Sequence, residues 1–174
     1  MERLAGKQIL FFVGPLYEDL ELWYPKLRLA EEGAAVTVAG LGEGRYAGKN
    51  GYPCAEDVDV RDIQAKDFDG LVIPGGFAPD KLRRSPAVLS LTAEIFNSGR
   101  LVAHICHAGW VPISAGIMGG MTCTSTPAIR DDLVNAGATW VDQEVVVDKN
   151  MVSSRNPQDL PRFCQEIIAF LSAK

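Results

Sequence analysis

The sequence predicts an α/β fold built on a mostly parallel sheet, and three observations carry that prediction. Apolar runs of strand length recur without polar alternation at residues 8–13, 35–39, 68–73 and 101–105. A strand with no solvent side belongs in a sheet covered on both faces. Segments with apolar residues at helical spacing separate these runs, the pattern of strand-helix-strand units joined by right-handed crossovers. Gly and Pro punctuate the joints, as at Gly33, Pro74-Gly75-Gly76 and Gly99.

Taken in order, residues 8–13 read as the first strand. Residues 20–29 follow, with Leu20, Trp23, Leu27 and Leu29 near helical spacing, and stop at Glu31-Glu32-Gly33. Residues 35–39 repeat the strand signal. The Gly- and Tyr-rich stretch 40–53 reads as turns and short hairpin strands, and a loop-rich excursion leads on to Asp59. Residues 68–73 form the next buried strand, residues 86–97 a helix opened by Pro86 and closed by Gly99, and residues 101–105 another strand. That strand runs straight into Cys106-His107-Ala108-Gly109 and a helix through Ala115. Residues 127–135 and 157–171 read as further helices, with strands at 144–147 and 151–153 between them. No internal repeat interrupts this order, and one domain over residues 1–174 is expected.

Composition narrows the function. With 22 acidic against 17 basic residues, a net charge of −5 leaves no electrostatic footprint for nucleic acid or an anionic membrane. The first apolar run is too short for a signal segment or a membrane span, so a cytoplasmic protein is expected. Four cysteines, Cys54, Cys106, Cys123 and Cys164, are scattered with no CxxC pair and read as free thiols.

Ligand sites in such a sheet lie at the carboxyl ends of strands. Three loops there carry unusual residues: Leu16-Tyr17-Glu18-Asp19, Pro74-Gly75-Gly76 and Cys106-His107-Ala108-Gly109. In the third, an apolar strand turns directly into a helix with small residues beyond the cysteine, the sequence form of a nucleophile elbow. The turn thrusts the Cys106 side chain into the crevice, and N–H groups at the helix start favour its anion. The usual elbow has Gly two residues before the nucleophile, where this chain has His104. Gly75-Gly76 reads either as a tight turn with positive φ or, together with the His107 amide, as a pair of backbone donors to an oxyanion. Glu18, at the lip of the same crevice, is the carboxyl expected to share a hydrogen bond with the Cys106 thiolate and act as acid or base. Asp19 and Glu21 read as solvated acids at a helix N-terminus. His107 is expected across the site rather than against its neighbour Cys106, and His104 as a core imidazole with a satisfied hydrogen bond.

Other chemistries fit poorly. His104, Cys106 and His107 on one strand-turn cannot converge tetrahedrally, so no metal is expected. Residues 42–49 match neither GxGxxG nor GxxxxGK[ST], which disfavours a nucleotide, and no cofactor is expected. Tyr17, Trp23, Trp110 and Trp140 lack interleaved basic residues and read as core or interface.

A further set of segments, taken together, carries a resemblance. It comprises Tyr17-Glu18-Asp19-Leu20-Glu21-Leu22 with Tyr24-Pro25, Gly48-Lys49-Asn50-Gly51-Tyr52, and Val72-Ile73-Pro74-Gly75-Gly76 with Ala78-Pro79. Ile105-Cys106-His107-Ala108-Gly109 follows, then Thr124-Ser125 with Asp131-Asp132, and the run from Asn135 to Asp142. Glu144-Val145-Val146-Val147-Asp148, Ser153-Ser154-Arg155 and Pro157-Gln158-Asp159-Leu160 complete it. In this order the chain resembles the ThiJ/PfpI superfamily, in particular its PfpI branch of intracellular proteases and glyoxalase-like or deglycase-like proteins. The resemblance implies a flavodoxin-like three-layer sandwich with Cys106 as nucleophile, Glu18 as its protonated partner, and the Gly76 and His107 amides as oxyanion hole. It also implies a homo-oligomer in which a neighbouring subunit's carboxylate orients His107. Asp80 stands at the matching position, where the family pattern often has Glu.

Two functions remain open at this point. One is a cysteine-dependent enzyme acting on small reactive carbonyls or peptides through a thio-adduct. The other is a redox sensor or protective protein whose Cys106 is oxidised with little turnover.

Overall fold

The structure, a computed structural model, describes residues 2–173. In chain order the elements are β1 (Gln8–Phe12), α1 (Asp19–Glu31), β2 (Ala35–Gly40), β3 (Arg45–Ala47), β4 (Pro53–Ala55), β5 (Val58–Asp59) and β6 (Gly70–Ile73). Then come α2 (Ala78–Leu82), α3 (Pro86–Asn97), β7 (Leu101–Ile105), α4 (Trp110–Ser114), β8 (Thr122–Cys123) and α5 (Arg130–Asn135). β9 (Thr139–Trp140), β10 (Val145–Asp148), β11 (Met151–Ser154) and α6 (Leu160–Ser172) complete the chain.

Seven strands form the central sheet in the order β10-β11-β7-β6-β1-β2-β5. Every pairing is parallel except β10 with β11, which are antiparallel at one edge. β1, β6 and β7 are buried almost throughout, as the unbroken apolar runs require. Helices α1 and α6 pack together, while α4 joins α2, α3 and α5 in a second group. The fold is therefore the expected flavodoxin-like α/β sandwich. Among the described residues, no helix is long and apolar enough to cross a membrane.

The chain leaves β1 for β2 on one side and returns through β6 on the other. That reversal splays the loops after β1 and β6 apart and opens a crevice at their carboxyl ends, with β7 next in line. The elements at this end depart from the sequence reading in instructive ways. The helix expected after Cys106 begins as a 3-10 turn over Cys106–Gly109 and becomes α-helical only at Trp110. α2 was not foreseen; it is a single short turn of helix following Phe77. Cys54, Cys123 and Cys164 are free and buried, as expected.

Candidate active site

Cys106 ends a strand and starts a turn, and its backbone shows the strain of that reversal. Its φ is +62°, a left-handed conformation that side-chain-bearing residues rarely adopt. Leu16, across the crevice, has φ +57°. An antiparallel bridge between Tyr17 and Gly76 stitches the loop after β1 to the loop after β6. Phe77 N–H donates to the Leu16 carbonyl at 2.9 Å and Glu18 N–H to the Gly75 carbonyl at 3.1 Å. Two glycines make this closeness possible. A Cβ on Gly75 would strike both the Glu21 carboxylate and Cys106 Cβ, and Gly76, at φ +79°, lies against the backbone of residues 16–18.

The backbone N–H groups of His107 and Gly76 lie close enough to the Cys106 sulfur to favour its anion. The Glu21 carboxyl lies beside the sulfur, close enough that each shifts the other's titration. Glu21 is 0% exposed; its Oε2 accepts the Gly75 N–H at 2.8 Å. Its Oε1 meets no donor in hydrogen-bond geometry among the described residues, leaving the sulfur as its polar neighbour. His107 Nδ1 lies 3.3 Å from Cys106 Sγ. Above these groups opens a cavity of about 490 Å³, walled by Leu16, Phe77 and Trp110 with Lys49, Asp80 and Lys81 at its polar margin.

Electrostatics divide the two acidic groups. Burial, followed by the nearby Glu18 charge, raises the Glu21 carboxyl to about 8. Burial, followed by a charged Glu21, pushes the Cys106 thiol up to about 12, while the His107 and Gly76 N–H groups pull it down. Protonating Glu21 removes the second of the upward causes and turns it into a donor to sulfur. The thiolate thus belongs to the state in which Glu21 holds the proton. Burial, followed by Lys49, depresses His107, which is therefore a neutral imidazole at pH 7.

The model of the DJ-1/PfpI family matches residues 7–170. The chain belongs to that family. It is 43% identical over 164 residues to Deglycase PfpI of Pyrococcus furiosus, covering 94% of this chain and 99% of that one. It is 37% identical over 167 residues to YraA of Bacillus subtilis, named as a candidate cysteine protease, covering 95% and 99%. Among solved structures, Drosophila melanogaster DJ-1beta superposes with a TM-score of 0.89 at 31% identity, covering 97% of this chain and 91% of that one. A two-domain protein from Anabaena variabilis, with dj-1/thij/pfpi-like and ferritin-like domains, superposes at 0.93 with 36% identity. The match covers 95% of this chain but only 48% of that longer chain.

Against the family frame, the sequence reading needs several corrections. The carboxyl beside the sulfur is Glu21. Glu18 is the N-cap of α1, its Oε2 accepting the Glu21 N–H at 2.8 Å, so its side chain is committed to the helix start. Glu21 is no solvated acid; it shares the i, i+4 stripe of Pro25 and Leu29, both buried, and that stripe was the available signal. Asp19 is also buried, bound to the 48–52 loop. His107 sits against Cys106 rather than across the site, because the left-handed turn at Cys106 brings the two side chains to one side. Asp80 lines the cavity, but its Oδ2 accepts from Arg84 Nη2 at 2.6 Å in an ion pair within the same chain. Trp110, read as core or interface, lines the cavity, its ring centroid 5.3 Å from that of His107. His104 is buried as expected, yet among the described residues both ring nitrogens lack a hydrogen-bond partner.

Proposed function

We propose that this chain is a cysteine-dependent enzyme that adds the Cys106 thiolate to electrophilic carbonyls, in the manner of a deglycase or glyoxalase. One observation supports this above the others: a half-buried sulfur, held by two backbone N–H groups and a protonatable buried carboxyl, faces an open cavity. In the first step the sulfur lone pair forms an S–C bond, the carbonyl π pair moves to oxygen, and Glu21 gives that oxygen its proton. The Gly76 and His107 N–H groups, released from sulfur as its charge disappears, are placed to stabilise the developing oxyanion. For an α-oxoaldehyde, neutral His107 then takes the proton from the adduct carbon, and the freed C–H pair forms an enediol. Reprotonation at the neighbouring carbon gives the Cys106 thioester, and water cleaves that S–C bond to release the 2-hydroxy acid and the thiol. The name deglycase among the relatives and a cavity of about 490 Å³ both favour a small carbonyl over an extended peptide.

Methylglyoxal consumption by the purified protein, followed with lactate formation, tests the reading. Turnover that disappears in Cys106→Ala supports it; turnover retained in that variant contradicts it. A homo-oligomer in which Asp80 of a second copy approaches His107 is part of the proposal. A monomeric sedimentation profile with full activity would remove it.

A redox reading is favoured by one observation, that Cys106 alone among the four thiols is not buried. Its oxidation to sulfinic acid would place oxygens where the two N–H groups now meet sulfur. Selective peroxide oxidation of Cys106 in a protein with no carbonyl turnover would make that reading the primary one.

A further inference from the structure

Lys49 and Lys81 both line the cavity that contains Cys106 and His107. Among the described residues, neither forms an ion pair with a carboxylate. Asp80, the carboxylate of the same wall, is neutralised by Arg84 at 2.6 Å. Glu21, beneath the sulfur, is raised to about 8 and so is mostly uncharged at pH 7. The mouth of the site therefore carries positive charge in a chain whose net charge is −5.

Lys49 is built into place. Its backbone N–H donates to the Tyr17 carbonyl at 2.8 Å, and Leu16 N–H donates to the Ala47 carbonyl at 3.0 Å. The Asp19 carboxylate takes the N–H groups of Asn50 and Tyr52, each at 2.9 Å, and Asn50 Nδ2 at 3.2 Å. A Cβ on Gly48 would collide with that carboxylate, so the residue before Lys49 must be glycine for the loop to lie this close. One buried acid thus fixes the Lys49 loop to the segment that carries Glu21. The positive charge reaches the reacting groups, since Lys49 lowers both Glu21 and His107.

Resting on the carbonyl-enzyme reading, we propose that Lys49 is a specificity-determining residue and that the substrates are carbonyl compounds bearing a carboxylate near the carbonyl Cys106 attacks. Lys81 adds a second, weaker attraction. Leu16, Phe77 and Trp110 accept the apolar body of such a molecule, and Phe77, 66% exposed, is free to cover it. Two ammonium groups at the margin of an apolar cavity suit a small organic carboxylate.

Charge-matched alkylation tests the inference without relying on turnover. Cys106 modification by iodoacetate and by iodoacetamide is timed by mass spectrometry in the wild type, Lys49→Met and Lys81→Met. The iodoacetate-to-iodoacetamide rate ratio is expected to fall roughly fivefold in Lys49→Met, less in Lys81→Met, and with added salt in the wild type. An unchanged ratio in Lys49→Met, with iodoacetamide labelling intact, overturns the proposal while sparing the nucleophile. Failure of both reagents to label wild-type Cys106 overturns the nucleophile reading and this inference together. Misfolding of the variant would show as labelling of buried Cys54, Cys123 and Cys164; Lys49→Gln and the wild-type salt series then decide the same question. In turnover, 4-carboxyphenylglyoxal should exceed phenylglyoxal in kcat/KM by about fivefold, and Lys49→Met should erase that preference. Equal kcat/KM for the two compounds in the wild type contradicts it.

Discussion

His104 and His107 lie three residues apart on the same strand-turn, and the contrast between them shows what makes a buried polar group useful. His104 is fully buried on β7, level with Ile73 and Ser153 on the neighbouring strands, and among the described residues both its nitrogens are unpartnered. Burial alone depresses it to about 4. Thr124 Oγ1 is unpartnered too, while Ser153 Oγ accepts the Thr124 N–H at 3.0 Å. That polar pocket stores desolvation cost. His107 is depressed by burial as well, but it stands beyond the strand's end, 3.3 Å from a sulfur that opens to solvent. Three residues separate a group that is merely isolated from one that is isolated and accessible.

The largest test of that contrast is at the sulfur. Cys106→Ala should reduce carbonyl turnover by roughly 10³-fold or more, with melting behaviour preserved, in a methylglyoxal assay. Next comes the pair of acids. Glu21→Gln should cost on the order of 10²-fold in kcat, because the amide donates a hydrogen bond but surrenders no proton. Glu18→Ala should instead cost about 1 kcal/mol of stability by denaturant unfolding, as loss of a helix N-cap does, with a smaller effect on kcat. Equal kinetic effects of the two would erase the distinction drawn between them.

Smaller effects lie in the pH dependence of stability. The Glu21 carboxyl rises from 4.5 to about 8 on folding, so the folded state holds an extra proton in that window. Its contribution is complete below pH 4.5 and is lost as pH rises through 8. His104 falls from 6.5 to about 4, so its contribution is complete above 6.5 and is lost as pH falls through 4. The slopes oppose each other. Glu21→Gln should flatten the alkaline decline in unfolding free energy, and His104→Leu should flatten the acid one while leaving kcat at the wild-type value. A His104→Leu variant whose acid decline persists would show that the imidazole is not the group responsible.

Much of this was legible in the sequence because the fold's signals are local. Continuous apolar runs announced β1, β6 and β7, and the strand-turn at Cys106 announced the elbow, whose left-handed backbone only the structure revealed. The family motifs located Gly76 and His107 at the sulfur. Choosing between Glu18 and Glu21 required more than proximity to a strand end. Glu18 is the residue just before α1 and Glu21 the third within it, so one caps the helix while the other, on the buried stripe, enters the crevice. The buried stripe through Pro25 and Leu29 carried that information, but a charged residue in the stripe was read as solvent-facing. The roles of Lys49 and Asp19 were illegible for another reason: they depend on a loop about 30 residues from α1 folding back onto it, which local pattern does not encode.

The most direct measurement is the pH dependence of Cys106 alkylation by iodoacetamide in the wild type and in Glu21→Leu, read by mass spectrometry of the modified peptide. If a proton on Glu21 holds the thiolate, the wild-type rate reaches its half-maximum at lower pH than that of the Leu variant, which has no proton to donate. Superimposable profiles would mean that Glu21 has no part in forming the nucleophile.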